Sequence, residues 1–554
     1  MYRRLTTWLF SPVDIAPLIF FRVCFGGLML WEVWRYFNYD RISRYFVEPS
    51  YFFHYFGFEW VKPLPGDGMF LLFHGLGLLS VLIMFGALYR LSMTLFFISF
   101  TYVFLLDKAQ YLNHFYLVSL VSFLMIFIPA HRSHSVDALL RPSLRARFVP
   151  RWSLDVLRAQ MAIVYFFGGL AKLNPDWFAG EPLRQWMAER TDFPFIGHLF
   201  REEWMVALFS AGGLLIDLFI VPLLLWKPTR IPALLLATTF HLMNSQLFNI
   251  GIFPWFAIGA TLMFMPPAWF RRLLAFLPGE QAFTGSVGFA YSRWITVGIL
   301  LYFAVQVLLP LRHWLYPGDP SWTEEGHTLA WHMRLRSKSG DIAFYLSDPD
   351  SGSAWQVDAR DYLTSRQFDQ MKDNPDMILR FSHHLADLHR DAHPNIRVHV
   401  RAMISLNSRE PQLLIDPTAD LAQMPDSLLA ADWILPLMQQ PVPHRPVPAL
   451  LVSRRYDGAL LLLNAAQTVY PLDGLMLQAG EQQISAADFG VTQLLPGECL
   501  LAHTQSAPLR DILVPCDETG SRVIIASTLV DEALQVYTPS GTADCPIPLC
   551  IIAH

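Results

Sequence analysis

Charge is what this chain has least of. Only 16% of its 554 residues are Asp, Glu, Lys or Arg, against about 25% in a soluble domain. Hydrophobic residues make up 53% and aromatic ones 14%. The shortage lies before residue 315, and the remainder has the composition of a soluble protein. There is no basic excess: the formal net charge of −5 offers no groove for nucleic acid, which is excluded as a partner. Cysteine is sparse. Cys24 stands alone in the first apolar stretch, and Cys499, Cys516, Cys545 and Cys550 fall in the soluble part. The absence of a Cys-x-x-Cys pair argues against zinc and dithiol redox sites. The four late cysteines are either free buried thiols or two disulfides with three possible connectivities. A Gly-rich phosphate loop, a Ser-His-Asp arrangement and metal-ligand spacing are all missing, so no metal is expected. The chain has no Asn-x-Ser/Thr sequon, which favours a bacterial inner membrane over the endoplasmic reticulum. Met1 to Arg4 is basic, but the apolar run that follows contains Arg22 and Glu32 without a small-residue cleavage site. It is expected to remain as a first transmembrane helix rather than to be removed as a signal peptide.

What is present in abundance is apolar sequence. Nine stretches, near 15–36, 69–88, 91–106, 115–130, 155–172, 204–226, 231–248, 250–266 and 292–311, come close to the length needed to cross about 30 Å of hydrocarbon. Arginines and lysines mark one side: Arg3 and Arg4, Arg90, the run Arg132 to Arg151, Lys227 with Arg230, and Arg271 with Arg272. With nine crossings these fall together, so that side and the N-terminus are cytoplasmic and the C-terminal part is exoplasmic. The fold class expected is a membrane all-α helical bundle of about nine transmembrane helices, followed by a β-rich α+β soluble exoplasmic domain. We divide it into a transmembrane catalytic helical domain over 1–314, a substrate-presenting soluble part over 315–445 and a β-rich C-terminal part over 446–554. Alternating runs from 328 to about 350 and from 396 to 416 read as strands, and 360–392 reads as helical.

Ionisable groups beside hydrocarbon are costly and mark either function or an internal pair. Lys172 follows MAIVYFFGGLA and precedes LNPDWFAG. It is either a snorkelling helix-end lysine or a desolvated amine able to act as a base near neutral pH. His114 is either an interfacial histidine with a satisfied hydrogen bond or the amine's partner. His241, Asn244 and Gln246 either hydrogen-bond between helices for packing or hold the oxygens of a quinone or polar-headed lipid. Arg22, Glu32, Arg158 and Asp217 read as structural ion pairs or interfacial anchors. The aromatic segment RYFVEPSYFFHYFGFEW reads as an interfacial belt or the rim of a lipid-accessible pocket. Arg401 and Arg409 are exposed strand or loop charges, or else contacts for an acidic substrate. The assigned topology brings Asp107 to His114, Lys172 and HLMNSQLFNIG to one membrane face.

Four segments carry a resemblance. IVYFFGGLAKLNPDWFAG resembles the central signature of the vitamin K-dependent γ-glutamyl carboxylases. HLMNSQLFNIGIF is similar to a second family segment, YLNHFYL with HRSHSVDALL to a third, and SLNSREPQLLIDP to a fourth. They occur in the family's order across roughly residues 15 to 417. The resemblance implies a membrane enzyme that oxidises vitamin K hydroquinone (reduced menaquinone or phylloquinone) with O2 to the epoxide. It couples this to carboxylation of glutamate in a peptide or protein substrate with CO2. It implies that Lys172 deprotonates the hydroquinone and His114 assists. His241, Asn244, Gln246 and Asn113 would lie near the cofactor. The quinone-derived alkoxide would then remove the γ-proton in a site closed to water but open to membrane lipid. Animal enzymes have two adjacent lysines in the signature, and the first is Ala171 here. Beyond about residue 420 the likeness is poor, which leaves propeptide docking without support. Alternatives are a quinol epoxidase of the same fold that does not carboxylate, and a non-catalytic lipid- or peptide-binding membrane protein.

Overall fold

The structure, a computed structural model, describes residues 2–248, 250–274, 289, 291–438 and, beyond those, the strands between 450 and 543. The described chain forms two compact units. One comprises Met1–Ser321 with Glu325–Ser337; the other comprises Trp322–Glu324 with Lys338 onward.

The first unit is helical. Its principal helices are α1 (Ala16–Asn38), α2 (Gly68–Phe85), α3 (Tyr89–Leu106), α4 (Asn113–Phe127), α5 (Trp152–Leu170), α6 (Glu203–Leu225), α7 (Arg230–Leu247), α8 (Phe253–Leu262) and α9 (Arg293–Leu311). Each begins or ends where the sequence permits. Pro17 and Pro254 occupy first turns, where the missing N–H costs nothing. Gly86 closes α2 in the left-handed conformation, its N–H returning to the Ile83 carbonyl.

Five helices, α1, α2, α3, α6 and α9, are long and apolar enough to cross a membrane. α4 and α8 are apolar but shorter. α5 and α7 are as long as a span, but Asp155, Arg158, Gln160, His241 and Asn244 dilute their hydropathy. These two helices carry Tyr165, His241, Asn244 and Gln246, described below. The bundle core is aromatic: Phe25 meets Phe96 edge to face at 5.6 Å and Phe256 at 6.3 Å. Gly26 lets α1 touch α2, since a Cβ there would lie 2.7 Å from the Ser80 carbonyl.

Two segments outside the long helices shape the interior. Residues 173–202 fold into short helices, Pro175–Phe178 and Leu183–Ala188, with a small core of Trp177, Leu183, Met187 and Phe200. Residues 325–337 were expected to begin a strand at 328, but the strand starts only at Lys338. The alternation over 328–337 serves a different end. Trp331 is drawn into the helical unit, where it stacks on Tyr116 at 4.9 Å, and Leu335 joins the small core. Three non-glycine residues there, Leu329, Trp331 and Arg334, take left-handed φ of 64°, 63° and 53°. Such conformations persist where surrounding packing enforces them, and they concentrate at functional sites.

The second unit contains an antiparallel sheet ordered β2-β1-β3-β4, from β1 (Lys338–Asp348), β2 (Ser353–Val357), β3 (Arg397–Leu406) and β4 (Gln412–Leu413). Helix α10 (Pro375–His389), capped by Asn374, lays Phe381 against Phe344 at 5.0 Å. Lys338 is almost fully buried. Its Nζ donates to Glu324 Oε1 at 2.7 Å and to the Trp322 and Asp373 carbonyls at 2.7 and 2.9 Å. Lys338→Met removes the ammonium from the buried Glu324 carboxylate, and breaking such a pair costs about 3–5 kcal/mol. The thermal unfolding midpoint in detergent should fall by several degrees; an unchanged midpoint would show the pair to be solvated. Between 450 and 543 lie further short antiparallel strands, among them Leu450–Arg454 paired with Leu460–Asn464, and Leu509–Pro515 with Arg522–Ala526. The side chains of Cys499, Cys516, Cys545 and Cys550 lie outside the described residues, and the disulfide expectation with them. Cys24 is a free thiol.

Candidate active site

Helix α5 ends in Gly168-Gly169-Leu170-Ala171-Lys172, and the two glycines determine what surrounds the lysine. A Cβ on Gly169 would lie 2.7 Å from the Leu218 side chain, so this residue lets α6 close on α5. A Cβ on Gly168 would lie 3.0 Å from Met333 and 3.5 Å from Asp217 Oδ2. The contact brings Asp217, in the middle of α6, onto Lys172: Nζ and Oδ2 are 2.5 Å apart. Nζ also donates to the Gly168 carbonyl at 3.1 Å and lies 5.1 Å from the Trp177 ring centroid. Lys172 and Asp217 are each 6% exposed.

Two expectations change here. The lysine does not snorkel at an outer rim, because residues 173–202 and 331–335 close over it. Nor is it a lone desolvated amine, because a buried carboxylate faces it. Asp217, read from sequence among the structural charges, is its partner. In a buried pair of this kind the proton can reside on either atom without changing the net charge.

One helical turn and more below, Tyr165 Oη sits 2.6 Å from His241 Nε2 and 3.5 Å from Thr261 Oγ1. His241 is buried, and its Nδ1 has no hydrogen-bond partner among the described residues. Asn244 is half-buried. Gln246 is exposed, its amide meeting Ser245 at 3.5 Å. The structure thus brings His241 into the interior and leaves Gln246 at the surface.

His114 lies in the first turn of α4, half-buried, with its ring against Phe115 at 4.8 Å and Phe253 at 6.1 Å. Its ring makes no hydrogen bond among the described residues. Gly251, at φ 62°, faces it: a Cβ built there would lie 3.7 Å from His114 Nε2 and 3.2 Å from Arg35 Nη1. Arg35 is held by Glu32 Oε2 at 2.7 Å. Asn113 turns away from this gap. Its Oδ1 accepts from Tyr111 Oη at 2.8 Å, and its Nδ2 donates to the His332 carbonyl at 3.1 Å.

The loop that closes over Lys172 carries His332, 6% exposed. Burial first, then the charges of His313, Arg336, Arg312 and Lys172, pushes His332 down to about 3, so it is neutral at neutral pH. Sequence reasoning missed Asp217 as the partner, Tyr165, Arg35 and the 327–333 segment. The signal available was three histidines, at 313, 327 and 332, clustered just beyond the last apolar stretch.

Of the other charges, Glu32 pairs with Arg35 and Arg41, and Arg158 pairs with Asp155 while donating to the Met263 carbonyl. Arg22 is a correction: it forms no described ion pair but donates to the carbonyls of Ala130 and His134, closing the connection after α4. In the second unit Arg401 lies on β3 and Arg409 in the turn after it, where its Nη1 donates to the Leu406 carbonyl. Among the described residues no group of three or more His, Cys, Asp or Glu is placed to hold a metal ion.

Two family models match this architecture in tandem. The first, HTTM domain, covers residues 10–269, which hold α1 to α8, Lys172 and His114. The second, Vitamin K-dependent gamma-carboxylase, lumenal domain, covers residues 291–440. The chain belongs to the vitamin K-dependent γ-glutamyl carboxylase family. No solved structure matches it.

Proposed function

We propose that this protein is a vitamin K-dependent γ-carboxylase, with Lys172 as the base that takes a proton from the hydroquinone. The observation that carries the reading is the Lys172–Asp217 pair, buried under a segment with three left-handed non-glycine residues. Other polar groups of the helical unit suit a quinol. The gap beside Gly251 would be filled by a Cβ and is bordered by Arg35 and His114. His241 Nδ1 is a buried polar atom awaiting a partner. An internal cavity of ≈ 30 Å³, lined by Phe73, Phe96, Phe100 and Phe115 among others, suits a small apolar co-substrate such as O2 or CO2.

When bound, vitamin K hydroquinone supplies the reducing power and, with O2, the strong base that glutamate γ-deprotonation demands. The protein's residues do the rest. Lys172 Nζ accepts the quinol proton, and Asp217 Oδ2 holds that ammonium or receives its proton. His114 Nε2 and Arg35 orient the quinol oxygen and favour its anion. Trp177, Trp331 and Met333 exclude water that would quench the basic species. We assign recruitment of the glutamyl peptide to the second unit, with Arg401 and Arg409 as its candidate contacts. All nine principal helices would lie in the membrane, the N-terminus cytoplasmic, with the more polar helices α5 and α7 shielded by the apolar ones.

Purified wild-type protein given the hydroquinone, O2 and a glutamyl peptide should form epoxide and incorporate ¹⁴CO2 into the peptide. Epoxide without ¹⁴CO2 would assign it quinol oxidation alone, and neither product would refute the reading. Gly251→Val places a branched side chain at a left-handed position, against Arg35 and His114. The apparent KM for hydroquinone should rise about tenfold or more, a change of about 1.4 kcal/mol. An unchanged KM would place the quinol elsewhere.

A further inference from the structure

Resting on that reading, the overall stoichiometry poses a requirement. Glutamate side chain, CO2, hydroquinone and O2 become a dicarboxylate, the epoxide, water and one proton. The new carboxylate adds one negative charge, so each turnover must discharge one proton. That proton starts on a buried pair beside Trp177, with the 331–333 segment packed on Gly168 next to it. Without an exit, Lys172 would serve once.

Three imidazoles lie together just beyond α9. The His332 ring is 4.8 Å from His313 and 4.9 Å from His327, centroid to centroid. His332 is buried, its Nδ1 has no hydrogen-bond partner among the described residues, and Lys172 is among the charges acting on it. Asn113 fixes its backbone, and Met333 beside it rests on Gly168. The other two differ. Arg336 Nη1 lies 3.1 Å from His327 Nε2; since a guanidinium only donates, that nitrogen is already taken as acceptor. His313 Nδ1 lies 2.7 Å from the Pro310 carbonyl, which accepts its hydrogen and leaves Nε2 as an acceptor. His313 is half-buried beside exposed Trp314. Gly326, at φ 69°, presses on the His313 backbone, where a Cβ would sit 2.5 Å from the His313 Cα. The cluster is therefore a fixed arrangement with one buried end and one end near solvent.

We propose that His332 and His313 form the proton exit of this enzyme. The proton leaves Lys172 Nζ for a nitrogen of His332, which releases its other proton to His313 Nε2, and His313 passes one to water. No bond to carbon changes and no redox partner is needed. Burial above all, with the neighbouring His313, Arg336 and Arg312 adding to it, keeps the His332 imidazole neutral between turnovers, so that a proton passes without accumulating there.

The test compares wild type with His332→Gln and His313→Gln in the full-length protein. In dilute non-transferring buffer, kcat for epoxide formation should fall about 10²-fold in His332→Gln and less in His313→Gln, the scale of a lost proton-transfer group. The KM for hydroquinone should not change. Raising the imidazole concentration should restore much of the rate, and the solvent deuterium isotope effect on kcat should increase. A loss that imidazole does not relieve, or no loss in either variant, would overturn the relay. A second readout needs no turnover. In ¹⁵N-histidine NMR, the His332 ring signals, assigned by their absence from His332→Gln, should move in Lys172→Met. Signals that stay in place would overturn the proposal even in an active enzyme. Wild-type protein that forms no epoxide would instead count against the proposed function.

Discussion

Lys172→Ala should leave the protein folded, monodisperse in detergent and unable to form vitamin K epoxide, with a loss of about 10³-fold or more. General-base groups contribute about 10²–10⁴-fold, and no second amine is at hand because the preceding residue is Ala171. The substitution also strands Asp217 in the interior, 6% exposed and beyond the reach of other described cations that pair with it. A companion, Lys172→Met with Asp217→Leu, separates the two consequences. It removes both charges and should recover stability while remaining inactive. Epoxide formation within a few-fold of wild type in Lys172→Ala would remove the lysine from its role.

The second large effect concerns the carboxylate. Asp217→Asn should lower epoxide formation about 10²-fold and cost about 3–5 kcal/mol of stability, since the ammonium is left buried without its counter-charge. Asp217→Glu should recover much of the stability and less of the rate, because the oxygen moves about a methylene length from the Nζ contact now made at 2.5 Å. Thermal midpoints and initial rates in the same detergent give both quantities. A stability loss without a rate loss would make Asp217 a structural counter-ion only.

How much of this was legible in the sequence depended on whether a signal was local. The nine apolar stretches each correspond to a helix, because apolar runs and proline or glycine ends are properties of a short window. Lys172 stood out because an amine beside FFGGLA has no local excuse. Asp217 did not, because its partner lies 45 residues away, and nothing in IDLF says which helix it faces. The strand expected from 328 failed because alternation marks two faces without saying what covers them. Here Trp331 went to Tyr116 rather than to a neighbouring strand. Arg35 and Gly251 were invisible for the same reason: the gap they border with His114 exists only once α1, α4 and the turn before α8 have met.

A direct readout is the ionisation of the quinol itself. Vitamin K hydroquinone mixed anaerobically with the wild-type protein at neutral pH should show the absorbance of the bound quinol anion, one per protein. Lys172→Ala should bind the quinol without that spectrum. An anion spectrum of equal size in both proteins would show that the buried lysine does not take the proton.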